Sequence, residues 1–302
     1  MNKENGEYQI DINGVNHWIK VVGKENNTIP LFIIHGGPGG NLYTFEKTVG
    51  PYLSEDRTVV YYEQRGCGRS GKPTDDNAYS MNELVDDFWE IIEWAGSEKI
   101  DLLGYSFGGE LALEFASNFP YLINKIILSG PSLINLKTQY MIQIAGFLSI
   151  ADLTLVNKIE EILKKNTSIE HKYKQVWEIV DQETIDRLLF VDPEVASKYR
   201  ELVIESNLHN TGRMLTVLQE HPVTPPLYDR LNNIPHKTLI ITGVYDRSTG
   251  IPISNLIHRN LSNSEWILFN NSAHFPELEE TEKFVSNVLG FLKASYTEER
   301  KH

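Results

Sequence analysis

The residues with the clearest chemical potential are Gly104-Tyr105-Ser106-Phe107-Gly108-Gly109, set between an apolar run at 99–103 and a helix-forming stretch at 110–118. A serine flanked by glycines at a strand-to-helix turn sits in a tight, strained backbone where neighbouring side chains would collide. Its hydroxyl stands clear of the chain and can attack a carbonyl carbon, which makes Ser106 the candidate nucleophile. A glycine-rich serine turn can also be a plain loop, so the decision rests on what else the chain supplies.

A serine hydroxyl needs a base, and the base needs a carboxylate to orient it. Two loops that follow strand-like runs offer both: 237–242 leads into Gly243-Val244-Tyr245-Asp246-Arg247, and 266–269 leads into Asn271-Ser272-Ala273-His274-Phe275-Pro276-Glu277. Open α/β sheets build their sites at the carboxyl ends of strands, so Asp246 is the candidate acid and His274 the candidate base. The bland alternative for Asp246 is a turn aspartate. Of the nine histidines, His258 and His302 lie in polar or terminal contexts and read as surface or satisfied residues. A further motif, His35-Gly36-Gly37-Pro38-Gly39-Gly40, follows the apolar run 31–34. Backbone amides freed by consecutive glycines can converge on a developing oxyanion. The amides of Gly37 and Phe107 are the candidates, although Gly-Pro-Gly also punctuates ordinary turns.

Those loops must hang from a regular framework, and strands alternate with helices through the first 131 residues. Segments 8–12 and 16–22 flank Asn13-Gly14 and predict a hairpin. Runs at 31–34, 59–62, 100–103 and 125–129 predict strands. Ser80-Met81-Asn82-Glu83 is a capping box before apolar residues at helical spacing. From about 132 to 229 only helical stretches occur, and the alternation resumes at Lys237. This pattern predicts an α/β fold with a mostly parallel sheet flanked by helices, a core of residues 1–131 and 229–302, and a helical cap inserted at 132–228. Segment 140–156 reads as an amphipathic lid helix, and 276–292 as a terminal helix.

Composition narrows the function class. The 302 residues carry 41 acidic against 28 basic side chains, a net charge of -13, which argues against nucleic acid and anionic membranes as partners. Segment 140–156 is interrupted by Gln143 and Asp152 and is too short to span a bilayer. The single cysteine, Cys67, rules out an intrachain disulfide, and the amino-terminal residues lack an apolar signal run, so a cytoplasmic location is expected. Gly66-Cys67-Gly68-Arg69-Ser70-Gly71 fits a dinucleotide-binding pattern, but Lys72-Pro73-Thr74-Asp75 follows where a helix should begin. No Walker A loop, HExxH or His/Cys cluster is present, and neither a cofactor nor a metal is expected.

The chain order serine, acid, histidine on this framework is that of the α/β-hydrolases. His35-Gly36-Gly37-Pro38-Gly39, together with Gln64-Arg65-Gly66-Cys67-Gly68-Arg69-Ser70, resembles the proline iminopeptidase family within them. The resemblance implies an eight-stranded sheet, a helical cap and removal of an amino-terminal residue, typically proline, from a short peptide. It also implies Ser106 as nucleophile, Asp246 as orienting acid and His274 as base. Departures occur at Tyr105 and Phe107, where such peptidases commonly have Gly and Trp, and at Glu63, where Asp is usual. The family holds the substrate ammonium with a cap glutamate and an acid beside the triad aspartate. Glu205 is the candidate for the first, with a solvated helix residue as the alternative, while the second position is Arg247, whose charge would repel an ammonium and attract a carboxylate. The expected activity is therefore a serine hydrolase acting on aminoacyl bonds of short peptides. The alternatives are an esterase, lactonase or thioesterase of small acyl compounds, and a small-molecule receptor on the same fold.

Overall fold

The computed structural model describes residues 1–208 and 210–294, so His302 lies outside the described residues. Eight strands form one sheet: β1 Gly6–Ile12, β2 Val15–Val22, β3 Leu31–Ile34, β4 Val59–Tyr62, β5 Ile100–Tyr105, β6 Ile123–Ser129, β7 Lys237–Gly243 and β8 Ser264–Phe269. Their spatial order is β1-β2-β4-β3-β5-β6-β7-β8. Only β2 runs against its neighbours, and every pairing from β4 to β8 is parallel. The hairpin forms as expected, with Asn13 at φ 51° and Gly14 at φ 73°, the left-handed pair that a tight two-residue turn demands.

Burial explains the strand compositions. β3, β4 and β7 are buried at every residue because helices cover both faces, and their sequences are continuous apolar runs or nearly so. The edge strand β1 alternates between half-buried and exposed positions, as a strand with one wet face does. Two short helices, α1 Tyr43–Thr48 and α2 Gly50–Ser54, follow β3, and one face of the sheet packs on α3 Met81–Ala95 and α4 Phe107–Asn118, with Phe88 stacked on Phe115 at 3.8 Å. The opposite face packs on the last helix, Thr281–Lys293, through Phe269, Phe284 and Val288. Ser80 caps α3, and the reciprocal Glu83 bond completes the capping box.

Between β6 and β7 lie six α-helices and, among the described residues, no strand: α5 Lys137–Ile150, α6 Leu153–Lys164, α7 Ile169–Ile179, α8 Gln182–Leu189, α9 Pro193–Ser206 and α10 Arg213–Glu220. Ile144, Phe147, Ile159, Ile162, Val176 and Leu188 give α5 to α8 an apolar cluster of their own. The single helix expected over 140–156 is instead two, because Asp152 leaves helical geometry and its carboxylate caps α6 by accepting from the Leu155 amide at 2.7 Å. The terminal segment is likewise split, into α12 Pro276–Glu279 and α13 Thr281–Lys293, with α11 Gly250–Asn260 before them. Residues 63–80 contain no helix, so the glycines at 66, 68 and 71 do not open a dinucleotide site. No helix among the described residues is long and apolar enough to cross a membrane.

The loop after β4 is fixed by buried charges. Asp87 of α3 accepts two bonds from Arg65, both at 2.6 Å, and one from His17 at 3.1 Å. Burial opposes the Asp87 charge, but His17 and Arg65 outweigh it and hold its pKa below the usual value. Removing one member of such a buried set strands its partners' charge. We expect Asp87→Ala to cost roughly 3–5 kcal/mol in urea unfolding, whereas Asp86→Ala, on the exposed face of the same helix, stays within about 0.5 kcal/mol. Because the folded pKa is depressed, the Asp87 contribution is present above the unfolded value near 3.8 and is lost as pH falls through the folded value. Equal losses for the two variants would overturn this account.

Candidate active site

Ser106 lies between β5 and α4 with φ 54° and ψ −125°, a conformation that side-chain-bearing residues rarely adopt. The surrounding glycines are what permit it. A Cβ on Gly104 would stand 2.1 Å from the Gly108 carbonyl oxygen, and one on Gly108 would stand 2.0 Å from that of Ile34. The parallel register of β3 and β5 pairs Ile34 with Gly104, which carries Gly36 alongside the serine. A Cβ on Gly36 would meet Ser106 Cβ at 2.9 Å. The motif glycines therefore mark contacts between two loops, closer than any side chain allows.

His274 follows β8 and turns its ring to both partners. Nδ1 is 3.1 Å from Asp246 Oδ2, and Nε2 is 3.1 Å from Ser106 Oγ. Asp246 also accepts from the amides of Ser248 at 2.8 Å and Thr249 at 3.1 Å, and from the Thr249 hydroxyl at 2.9 Å. Burial works against its charge, yet His274 and these donors bring its pKa down to about 2. An ionised Asp246 accepts a hydrogen bond from Nδ1–H, leaving Nε2 as the acceptor for the serine hydroxyl. Burial disfavours the His274 cation, but Asp246 first and Glu277 second raise its pKa above the ordinary value. The arrangement can thus remove a proton from Ser106 and keep it.

The glycine loop after β3 is held from behind. The buried His35 accepts the Gln64 amide at 3.0 Å, and the Gln64 side chain donates to the His35 carbonyl at 2.9 Å. On its outer side Gly39 receives the Thr211 amide at 2.9 Å, in a contact where a Cβ would lie 2.0 Å from the Thr211 carbonyl oxygen. Phe107 is the first residue of α4, so its amide has no carbonyl one turn back to bond. A cavity of about 630 Å³ opens over Ser106, lined by Gly37, Tyr105, Trp177, His274 and Glu277 among others.

Not every sequence candidate reaches it. Glu205, near the end of α9, is exposed and accepts the Tyr43 hydroxyl at 2.7 Å, away from the cavity lining. Arg247 stacks on Tyr245, 5.9 Å from the ring centre, donates to the Tyr245 carbonyl and does not line the cavity either. The sequence reading missed Glu277, which lines the cavity and is only 2% exposed. Its sole sequence signal is an acid three residues after His274, which nothing distinguishes from Glu279 and Glu280. No group of three or more His, Cys, Asp or Glu among the described residues is placed to hold a metal.

Residues 29–159 match a family described as the alpha/beta hydrolase fold. The proline iminopeptidase of Saccharolobus solfataricus is 26% identical over 302 aligned residues, covering 94% of this chain and 91% of its own. That of Lactobacillus acidophilus is 27% identical, covering 91% and 94%. Among solved structures, a proline iminopeptidase-related protein from Thermus thermophilus superposes with a TM-score of 0.79 at 22% identity, over 96% of this chain and 98% of that one. An esterase from Exiguobacterium antarcticum gives 0.69 at 20% identity, over 96% and 100%. Sheet order, strained serine turn and relatives agree: the chain has the α/β-hydrolase fold and resembles the proline iminopeptidases.

Proposed function

We propose that this hydrolase works through an acyl-enzyme on Ser106, with His274 as base and Asp246 as its orienting acid. The observation that carries the reading is the unbroken pair of 3.1 Å contacts from Asp246 through His274 to Ser106 at the floor of a cavity. His274 takes the serine proton as Oγ attacks the carbonyl, and the amides of Gly37 and Phe107 receive the oxyanion. The imidazolium then protonates the leaving group, water attacks the ester with His274 again as base, and Ser106 is released. Asp246, ionised far below neutral pH, stabilises the imidazolium throughout.

The substrate we assign is the amino-terminal aminoacyl bond of a short peptide, on the strength of relatives aligned over nine-tenths of the chain. Residues 132–228 act in this reading as a cap over a core of 1–131 and 229–302. Support comes from their separate apolar cluster and from cavity walls contributed by both parts. The single buried cysteine suits action in the cytoplasm. A second reading, hydrolysis of small acyl esters, lactones or thioesters, is favoured by Glu205 and Arg247 lying outside the cavity.

A fluorophosphonate probe should label wild type at one site and Ser106→Ala at none, with turnover in that variant reduced by several orders of magnitude. Asp246→Asn should fold normally and lose about 10⁴ in kcat, if it behaves like the equivalent change in a serine protease. Labelling that survives Ser106→Ala would remove the nucleophile. A near-wild-type rate in Asp246→Asn would remove the acid. Kinetics on prolyl and alanyl arylamides beside short acyl esters separate the two substrate readings.

The sign of the pH dependence follows from His274. Its pKa is raised, and catalysis needs the neutral ring, so kcat/KM should climb with pH through a midpoint above 6.5. Asp246 contributes no limb near neutrality because it titrates at about 2. A midpoint well below 6.5 would contradict the described coupling to Asp246 and Glu277.

A further inference from the structure

Four of the buried acids pair with arginines: Glu63 with Arg69, Asp87 with Arg65, Asp101 with Arg57 and Glu114 with Arg230. Glu277 breaks that pattern. Among the described residues no lysine or arginine pairs with it, and its hydrogen-bond donors are the Ser129 hydroxyl at 2.7 Å and its own backbone amide. Burial, only partly offset by these donors and by His274, lifts its pKa to about 7. Glu110, the other acid raised this far, accepts the Ile134 amide at 2.8 Å and does not line the cavity. Glu277 does line it, with Ser106, His274, Tyr105, Tyr199 and Phe275. The rings around it are ordered: Tyr199 stacks with Phe275 at 5.4 Å, and Tyr105 with Phe45 at 5.6 Å. A carboxylate lacking a cation, in a cavity lined by aromatic side chains, is complementary to an ammonium ion.

We infer that Glu277 is the anionic subsite of the cavity and receives a primary or secondary ammonium carried on the acyl part of the substrate. The inference rests on the aminoacyl reading above and replaces Glu205, which the fold directs to Tyr43. A cation seated there would complete the pairing that every arginine-bonded acid in the core already has. It would also share the cavity with Ser106, as a substrate that touches both requires.

The test uses L-prolinol, a cation at pH 8, and cyclopentylmethanol, its uncharged counterpart, titrated calorimetrically into the whole protein. Wild type should bind prolinol at least roughly tenfold more tightly, the scale of one charge-assisted hydrogen bond. That preference should vanish in Glu277→Gln, weaken in Glu277→Asp and persist in Glu205→Gln. Glu277→Asp also keeps the test decisive should Glu277→Gln fail to fold. Equal binding of the two alcohols by wild type, or a preference that survives in both Glu277 variants, would overturn the subsite. If the preference depends on Glu277 while prolyl and alanyl arylamides are not hydrolysed, the subsite stands and the peptidase reading fails. If those arylamides are hydrolysed with KM unchanged in Glu277→Gln, the subsite falls and the peptidase reading stands.

Discussion

The backbone of Ser106 is the constraint around which the site is arranged. Holding a non-glycine residue at φ 54° and ψ −125° costs on the order of 1–3 kcal/mol, which the surrounding structure must offset. It does so by close packing of main chain on main chain: Gly104 against Gly108, Gly108 against Ile34, and Gly36 against Ser106 itself. Those contacts exist only while β3 and β5 keep their parallel register, and that register is set by strands buried on both faces. The same register delivers the glycine loop after β3 to the serine. One geometric requirement therefore positions both the Ser106 side chain and the glycine loop beside it.

Charge is handled by a different logic. Around the loop after β4, buried carboxylates are neutralised by arginines; Glu63 accepts Arg69 and the Leu42 amide, and the Arg69 guanidinium lies 3.2 Å from the centre of the Trp18 ring. Such sets hold irregular backbone that regular hydrogen bonding cannot hold. Around His274 the acids are treated otherwise: Asp246 is solvated by three neighbouring donors and His274, whereas Glu277 has a hydroxyl and its own amide. Two carboxylates beside one imidazole thus differ widely in acidity, about 2 against about 7: burial raises both, but His274 and the backbone donors outweigh it at Asp246 and not at Glu277.

The helices between β6 and β7 and the candidate site share bonds as well as a cavity. The His274 amide donates to the Leu189 carbonyl at the end of α8, and Glu279 accepts from Val191, Asp192 and Ala273. Gly39 is bonded to Thr211. Both loops that bear on Ser106 are consequently anchored to the segment between β6 and β7, so a shift of those helices would be felt at His274 and at the glycine loop together.

Local chemistry made much of this legible beforehand. Continuous apolar runs gave the buried strands, Asn13-Gly14 gave the hairpin, Ser80 and Glu83 gave a helix start, and glycines at fixed spacing around Ser106 announced a close approach before its partner was known. Ser106, Asp246 and His274 could be picked from their order and their places after strands, since those signals lie within a few residues of each side chain. The helix break at Asp152 was harder, because apolar residues continue across it and only a cap bond reveals the stop. Glu205, Arg247 and Glu277 were beyond reach for a stronger reason. Whether an acid meets the cavity depends on helix rotation and on contacts between residues far apart in sequence, such as Tyr43 with Glu205 and Ser129 with Glu277. The sequence by itself determined the strands, the hairpin and the glycine-flanked turn that carries Ser106. Which charges face the substrate was decided by tertiary packing alone, because burial and long-range pairing, and not residue type, set the direction and the ionisation of a side chain.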